Sequence, residues 1–248
     1  MRVLLLGGTT EASQLARLLK TADIETVFSY AGRTNTPIEQ PVPVRVGGFG
    51  GEEGFDRYLA QAGITHVIDA THPFAATMAH TVHTVCTART LPVLRLARAP
   101  WQPQAGDDWQ SVPDIAAAIG ALPDAPASVF LAIGRMHVDQ FAAKPAHRYL
   151  LRLVDAPQHP PALPQHQIVV ARGPFDVAGD RALMKAHGVT HLVAKNAGGT
   201  GAVAKITAAR ALAVRVIMID RPYRPPVETV TSPEGVLVWL GHSADRGV

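Results

Sequence analysis

The stretch Val3-Leu4-Leu5-Leu6-Gly7-Gly8-Thr9-Thr10-Glu11-Ala12 is an uninterrupted apolar run that breaks on paired glycines. A run of this kind reads as a strand buried on both faces, and Ala12, Leu15, Ala16 and Leu19 recur behind it at helical spacing. Strand, tight turn and helix start therefore follow one another. A helix beginning there points unpaired N–H groups at an anion, and glycines let the backbone approach a ligand. The turn is not G-x-G-x-x-G, and a purely structural turn at the top of a first strand reads the same way.

Outward from this unit the chain keeps alternating. The pattern predicts strands at 3–6, 25–30, 44–46, 65–69 and 92–97, with helices at 11–20, 52–62 and 74–89 between them, the signature of a doubly wound parallel sheet. Ala99 to Asp108 has no periodicity and three turn formers, so a domain boundary falls there. Beyond it come helices at 113–121, 136–142, 176–187 and 201–212 and strands at 128–133, 148–153, 167–171, 190–194 and 214–219. Asp155 to Gln165 is a loop, and Leu237 to Leu240 packs as a last strand or helix after Ser232-Pro233-Glu234. The predicted fold class is α/β: two Rossmann-like parallel-sheet domains, 1–99 and 100–248, with the active site in the cleft between them.

An internal repeat supports two equivalent halves. Gly63-Ile64-Thr65-His66-Val67-Ile68 returns as Gly188-Val189-Thr190-His191-Leu192-Val193, and each copy leads through a helix to a second apolar strand ending in Arg98-Ala99-Pro100 or Arg221-Pro222. Two unrelated βαβ units share enough composition to look alike by chance. A true duplication permits equivalent strands, such as 93–97 and 216–220, to be exchanged between the sheets.

Composition narrows the functional classes. The chain has 248 residues, 47% of them hydrophobic, and a single cysteine, which excludes an intrachain disulfide. Cys86 reads as a small buried hydrophobe in a reducing compartment, the alternative being a reactive thiol. No apolar run approaches the roughly 18 residues of a membrane span, so a soluble, cytoplasmic protein with no membrane partner is expected. The net charge of +3 is mild and no basic block occurs, which argues against nucleic acid. Dispersed arginines suit a substrate with several carboxylates or phosphates, although a plain basic surface explains the composition as well.

The end of the second strand is where an NAD-binding fold keeps an acidic residue for the ribose hydroxyls. Here it reads Ser29-Tyr30-Ala31-Gly32-Arg33-Thr34, with no carboxylate and an arginine among hydroxyls, so NADPH is preferred over NADH. Asp69-Ala70-Thr71-His72-Pro73-Phe74-Ala75 ends the strand at 65–69, placing Thr71 and His72 toward the cofactor. His72 supplies a proton or hydrogen bond there, or only caps the next helix. His72, His80, His83 and Cys86 lack the ligand spacing of a zinc site, and no metal is expected. In the second half, Arg135 after Gly134, the turn Arg172-Gly173-Pro174-Phe175, and Lys195-Asn196-Ala197-Gly198-Gly199 close corresponding strands. The last offers a point charge and a glycine turn for an anionic group, unless its glycines serve the turn alone.

With these motifs in order, the chain resembles the precorrin-6A reductase family along nearly its whole length. The resemblance is carried by Gly7-Gly8-Thr9-Thr10-Glu11-Ala12, Ala31-Gly32-Arg33-Thr34, Asp69 to Ala75, Gly173-Pro174-Phe175, Lys195-Asn196 with Gly198-Gly199, and Lys205. It implies NADPH-dependent reduction of one double bond in a carboxylate-fringed tetrapyrrole, precorrin-6A to precorrin-6B, on the route to cobalamin. It further implies that Gly7 to Glu11 hold the pyrophosphate and that Ser29, Arg33 and Thr34 hold the 2′-phosphate. Gly32 and Thr71 complete the cofactor side. Arg135, Arg172 to Phe175, Lys195, Asn196, Gly198 and Gly199 meet the substrate, and His72 and Lys195 are the catalytic candidates. Transient hand-over to neighbouring pathway enzymes would follow. Two rivals stand beside it. A reductase of small carbonyls needs Tyr-x-x-x-Lys, and none of the four tyrosines has a lysine four residues on. A non-enzymatic NADPH-binding sensor is the other.

Overall fold

The computed structural model describes residues 1–32, 34 and 36–245. In chain order its elements are β1 (Arg2–Leu6), α1 (Thr10–Thr21), β2 (Glu25–Tyr30), β3 (Val44–Val46), α2 (Gly51–Gln61), β4 (His66–Asp69), α3 (Ala76–Ala88) and β5 (Val93–Leu96). Then come β6 (Trp109–Val112), α4 (Ile115–Gly120), β7 (Ser128–Ala132), a 3-10 helix (Arg135–Ala143), β8 (Arg148–Leu153) and β9 (His166–Val170). The chain continues with α5 (Val177–Ala186), β10 (His191–Lys195), α6 (Ala204–Ala211), β11 (Arg215–Ile219), β12 (Thr229–Val230) and α7 (Pro233–Asp245).

Two compact units result, residues 1–99 with 223–248, and residues 100–222. The first holds a six-stranded sheet in the order β12-β5-β4-β1-β2-β3, every pairing parallel. Its opening strand is apolar throughout because both its faces are covered. Val3 and Leu5 pack with Ala12, Leu15, Ala16 and Leu19 of α1 and with Val236, Trp239 and Leu240 of α7. Leu4 and Leu6 pack on the other side with Phe55 and Leu59 of α2 and Val82 and Val85 of α3. Each leucine so buried stabilises the unit by about 1.5–3 kcal/mol.

The second unit repeats the pattern as β6-β11-β10-β7-β8-β9, again parallel. Phe130, Leu150, Leu192, Val216 and Met218 from its strands pack with Met184 of α5 and Ile206, Ala208 and Ala209 of α6. The sequence repeat recurs in detail. Thr65 Oγ1 lies 2.9 Å from His66 Nδ1, and Thr190 Oγ1 lies 2.9 Å from His191 Nδ1.

The exchange permitted by the duplication does not fall on the strands at 93–97 and 216–220. β5 pairs with β4 and β11 with β10, each within its own half. Both have neighbours on two sides, so moving either would break two ladders. The strands that change sheets are the next ones, at the edges. β6 follows β5 in sequence but pairs with β11, and β12 follows β11 but pairs with β5. Residues 223–248 therefore belong with the first unit, not with the second domain expected to run from 100 to 248. Neither edge strand was expected: Trp109–Val112 is four residues beside the turn-rich segment, and Thr229–Val230 is two. The helix expected at 136–142 is a 3-10 helix.

Candidate functional site

At the carboxyl end of β1, Gly7 and Gly8 serve different ends. A Cβ on Gly7 would lie 2.0 Å from Phe28 Cζ, so this glycine makes room for the core aromatic beneath the turn. Gly8 has φ +113° with open space around it, which suits close backbone approach by a ligand. Thr9 caps α1: its Oγ1 accepts from Ala12 N at 3.1 Å and donates to the Ala70 carbonyl at 3.0 Å, tying the turn to the end of β4. The helix N–H groups ahead of Ala12 are those available to an anion. Glu11, in that first turn, is neutralised by Arg98 at 2.7 Å, so its carboxylate does not oppose a bound phosphate.

The neighbouring strand ends complete this edge. Gly7 N donates to Ser29 O at 3.0 Å, bringing the ends of β1 and β2 together. Gly32, at φ +74°, turns the chain after β2. Thr34 is half-buried, and Arg33 lies outside the described residues. Asp69 is fully buried at the end of β4. It accepts from Thr71 Oγ1 at 2.7 Å, Arg95 Nε at 3.3 Å and Arg224 Nη2 at 2.5 Å. Arg224 also donates to Thr71 Oγ1 at 3.2 Å, so the Thr71 hydroxyl is part of this cluster. Two guanidiniums on one carboxylate leave a buried net positive charge. Burial lowers the pKa of Arg224 and Asp69 opposes the shift. Arg224 Nε is buried without a partner among the described residues. His72 Nδ1 accepts from Phe74 N at 3.2 Å, which places the proton of the neutral ring on Nε2.

In the second unit the substrate-side candidates all follow strand ends. Lys195 is the half-buried last residue of β10. Asn196 is buried, and its side chain both accepts from Trp101 N at 2.8 Å and donates to Trp101 O at 3.0 Å. Trp101 Nε1 donates to Gly199 O at 2.7 Å, while Arg221 holds the carbonyls of Asn196 and Ala197 at 3.0 and 3.1 Å. Lys205 Nζ donates to Ala202 O and lies 4.9 Å from the Trp101 ring centroid. The turn through Gly198 and Gly199, at φ +68° and +69°, is thus rigidly braced, and Asn196 acts as the brace. Arg135 is exposed at the start of the 3-10 helix and Arg172 is exposed, 3.8 Å from Asp155. Gly173-Pro174 is a cis peptide, and Phe175 lies under the Arg152 guanidinium at 3.7 Å from its ring centroid.

Each unit therefore gathers its own candidates at one sheet edge. Gly7 to Glu11, Ser29, Gly32, Thr71 and His72 close strands of the first, and Arg135, Arg172 to Phe175 and Lys195 to Gly199 close strands of the second. Cys86 is buried and its thiol is pushed up to about 12, which makes it inert at neutral pH. No group of three potential metal ligands is assembled among the described residues, and no helix among them is long and apolar enough to cross a membrane. The sequence reading missed Arg95, Arg98, Trp101, Arg221 and Arg224. Arg95 carried a signal, a charge inside the buried run Val93-Leu94-Arg95-Leu96. Trp101, Arg221 and Arg224 stand in aperiodic, proline-rich segments, where nothing local foretells a tertiary partner.

The comparisons agree with this architecture. The model of the precorrin-6x reductase CbiJ/CobK family matches residues 2–241. The chain is 54% identical to a precorrin-6A reductase of Rhodobacter capsulatus over 246 residues, 99% of this chain and 97% of that one. It is 31% identical to a cobalt-precorrin-6A reductase of Priestia megaterium over 234 residues, covering 89% and 90% of the two chains. A solved structure described as CobK precorrin-6A reductase superposes with a TM-score of 0.95 at 54% identity, covering 98% of this chain and 96% of that one. Matching over both units, from the glycine turn of β1 to the returning helix α7, places the chain in the precorrin-6x reductase CbiJ/CobK family.

Proposed function

We propose that the chain reduces precorrin-6A to precorrin-6B with NADPH, in the cytoplasm, as a step of cobalamin biosynthesis. The observation that carries this reading is the edge of the first unit. A positive-φ glycine in open space, a capped helix N-terminus and a strand β2 that closes on Ser29 and Tyr30 rather than on an acid suit a pyrophosphate and a phosphorylated ribose. The metal-free ring is the substrate this reading favours, supported by the relatives at 40% identity and above being named for precorrin-6A, whereas those named for the cobalt form are 31% and 28% identical.

Bound NADPH would supply a hydride, and a proton completes the reduction. The protein's part is to position the partners and set the local charge. Gly7 to Glu11 hold the pyrophosphate, while the buried positive cluster of Asp69, Arg95 and Arg224 favours anions along this edge. Lys195, Arg135 and Arg172 meet the carboxylates of the macrocycle, and the turn of Gly173, Pro174 and Phe175 and that of Gly198 and Gly199 shape the surface beneath it. His72, with its proton on Nε2, and Lys195 are the groups placed to handle the proton. Hand-over to other pathway enzymes belongs to the same proposal.

Anaerobic assay with precorrin-6A tests it. NADPH is expected to be consumed in step with the loss of the substrate chromophore, and NADH to serve much more slowly. Equal use of both cofactors, or turnover of simple carbonyls instead, overturns the reading.

A further inference from the structure

We infer that Arg45, acting with Ser29, recognises the phosphate monoester on the adenosine ribose of the cofactor; this rests on the NADPH reading above. Ser29 is the penultimate residue of β2 and lies directly opposite Arg45 of β3 in the parallel ladder. Arg45 Nη1 donates to Ser29 Oγ at 2.8 Å and to the Gly47 carbonyl at 2.9 Å, and Nη2 donates to the Gly48 carbonyl at 3.1 Å. The guanidinium also stacks over the Phe49 ring, 3.8 Å from its centroid, with Tyr58 at 5.1 Å. Five restraints thus fix a group that a solvent-facing arginine would leave free.

The donors left over point to a ligand. Ser29 is 5% exposed; its oxygen accepts from Arg45, and its own proton, which that bond does not use, finds no acceptor among the described residues. Arg45 keeps Nε–H and one Nη2–H in the same position. A buried hydroxyl proton beside a guanidinium with donors to spare suits a doubly charged acceptor. The place is right as well. Ser29 O holds Gly7 N, so this pair stands beside the glycine turn, at the strand end where a dinucleotide fold meets its ribose. In the glycine-rich connection Gly47-Gly48-Phe49-Gly50-Gly51 that follows, a Cβ at Gly47, Gly48, Gly50 or Gly51 would meet nothing within 4 Å among the described residues.

Binding of 2′,5′-ADP and 5′-ADP to the full-length chain, measured by calorimetry, tests the assignment. The native protein is expected to bind 2′,5′-ADP more tightly. Arg45→Met, which keeps the apolar stem on Phe49, should weaken 2′,5′-ADP by about 10–100-fold and leave 5′-ADP nearly unchanged. Arg45→Lys should fall between, and Ser29→Ala should weaken 2′,5′-ADP alone, by about 3–10-fold. Should Arg45→Met fail to fold, Arg45→Lys and Ser29→Ala carry the same comparison. Equal weakening of both ligands would show a purely structural arginine and overturn the assignment. So would retention of the discrimination in Arg45→Met together with its loss in Arg33→Met. A native protein that does not distinguish the two ligands instead removes the NADPH reading itself.

Discussion

Phe28 and Gly7 show how one side chain can dictate another residue's identity. Because a Cβ at position 7 would fall 2.0 Å from the Phe28 ring, Gly7→Ala is expected to destabilise the chain by about 1–3 kcal/mol. Phe28→Leu should restore part of that loss in the double variant, a coupling visible in denaturant midpoints. Asp69 is the second pivotal residue. Asp69→Asn leaves Arg95 and Arg224 buried around a neutral amide and should cost about 3–5 kcal/mol, whereas Arg224→Met leaves the Asp69–Arg95 pair standing and should cost less. The reverse order in urea melts would contradict the view that two cations depend on this single carboxylate. The glycine turn and the absent acid could be read from sequence, because both depend on neighbours in the chain. The Asp69 cluster could not, because Arg224 reaches it from the far end of the sequence.

At the scale of elements, the strands β4 and β10 each open on a histidine whose Nδ1 is joined to the hydroxyl of the threonine just before it. Burial holds the imidazoles of His66, His191 and His147 below their ordinary value of 6.5. His66 Nε2 and His147 Nε2 are buried without partners among the described residues. Below pH 6.5 the unfolded chain takes up protons that the folded chain resists, so stability present above that pH is lost as pH falls toward the folded-state values. Melting followed from about pH 7.5 to 5 should show this decline, and His66→Phe, which keeps the ring against Trp239, should flatten it. A melting temperature that rises on acidification would contradict the assignment. The apolar strands and amphipathic helices were legible because burial imposes a period on them. β6 and β12 were not, because an edge strand of four or two residues has only one ladder to satisfy and little hydrophobic pattern to show.

For the whole molecule, the return of residues 223–248 is the feature with the largest consequence. Val236, Trp239 and Leu240 cover a face formed by β1, β4, β5 and α1, so a chain ending at Pro222 should leave that face bare and the first unit unfolded. Joining Ala99 directly to Tyr223 should give a first unit that melts cooperatively, and its failure to do so would contradict the division of the chain. The duplication was legible in the repeated Gly-x-Thr-His strands, whereas the identity of the exchanged strands was not, since local sequence does not say which edge a short strand will join. The functional account rests on hydride leaving a nicotinamide cofactor for the macrocycle. Mass spectrometry of the product formed from precorrin-6A and NADPH carrying deuterium at both C4 positions tests this most directly. The account predicts a reduced ring that carries one deuterium on carbon; a reduced ring without deuterium, or unchanged substrate beside intact cofactor, would contradict it.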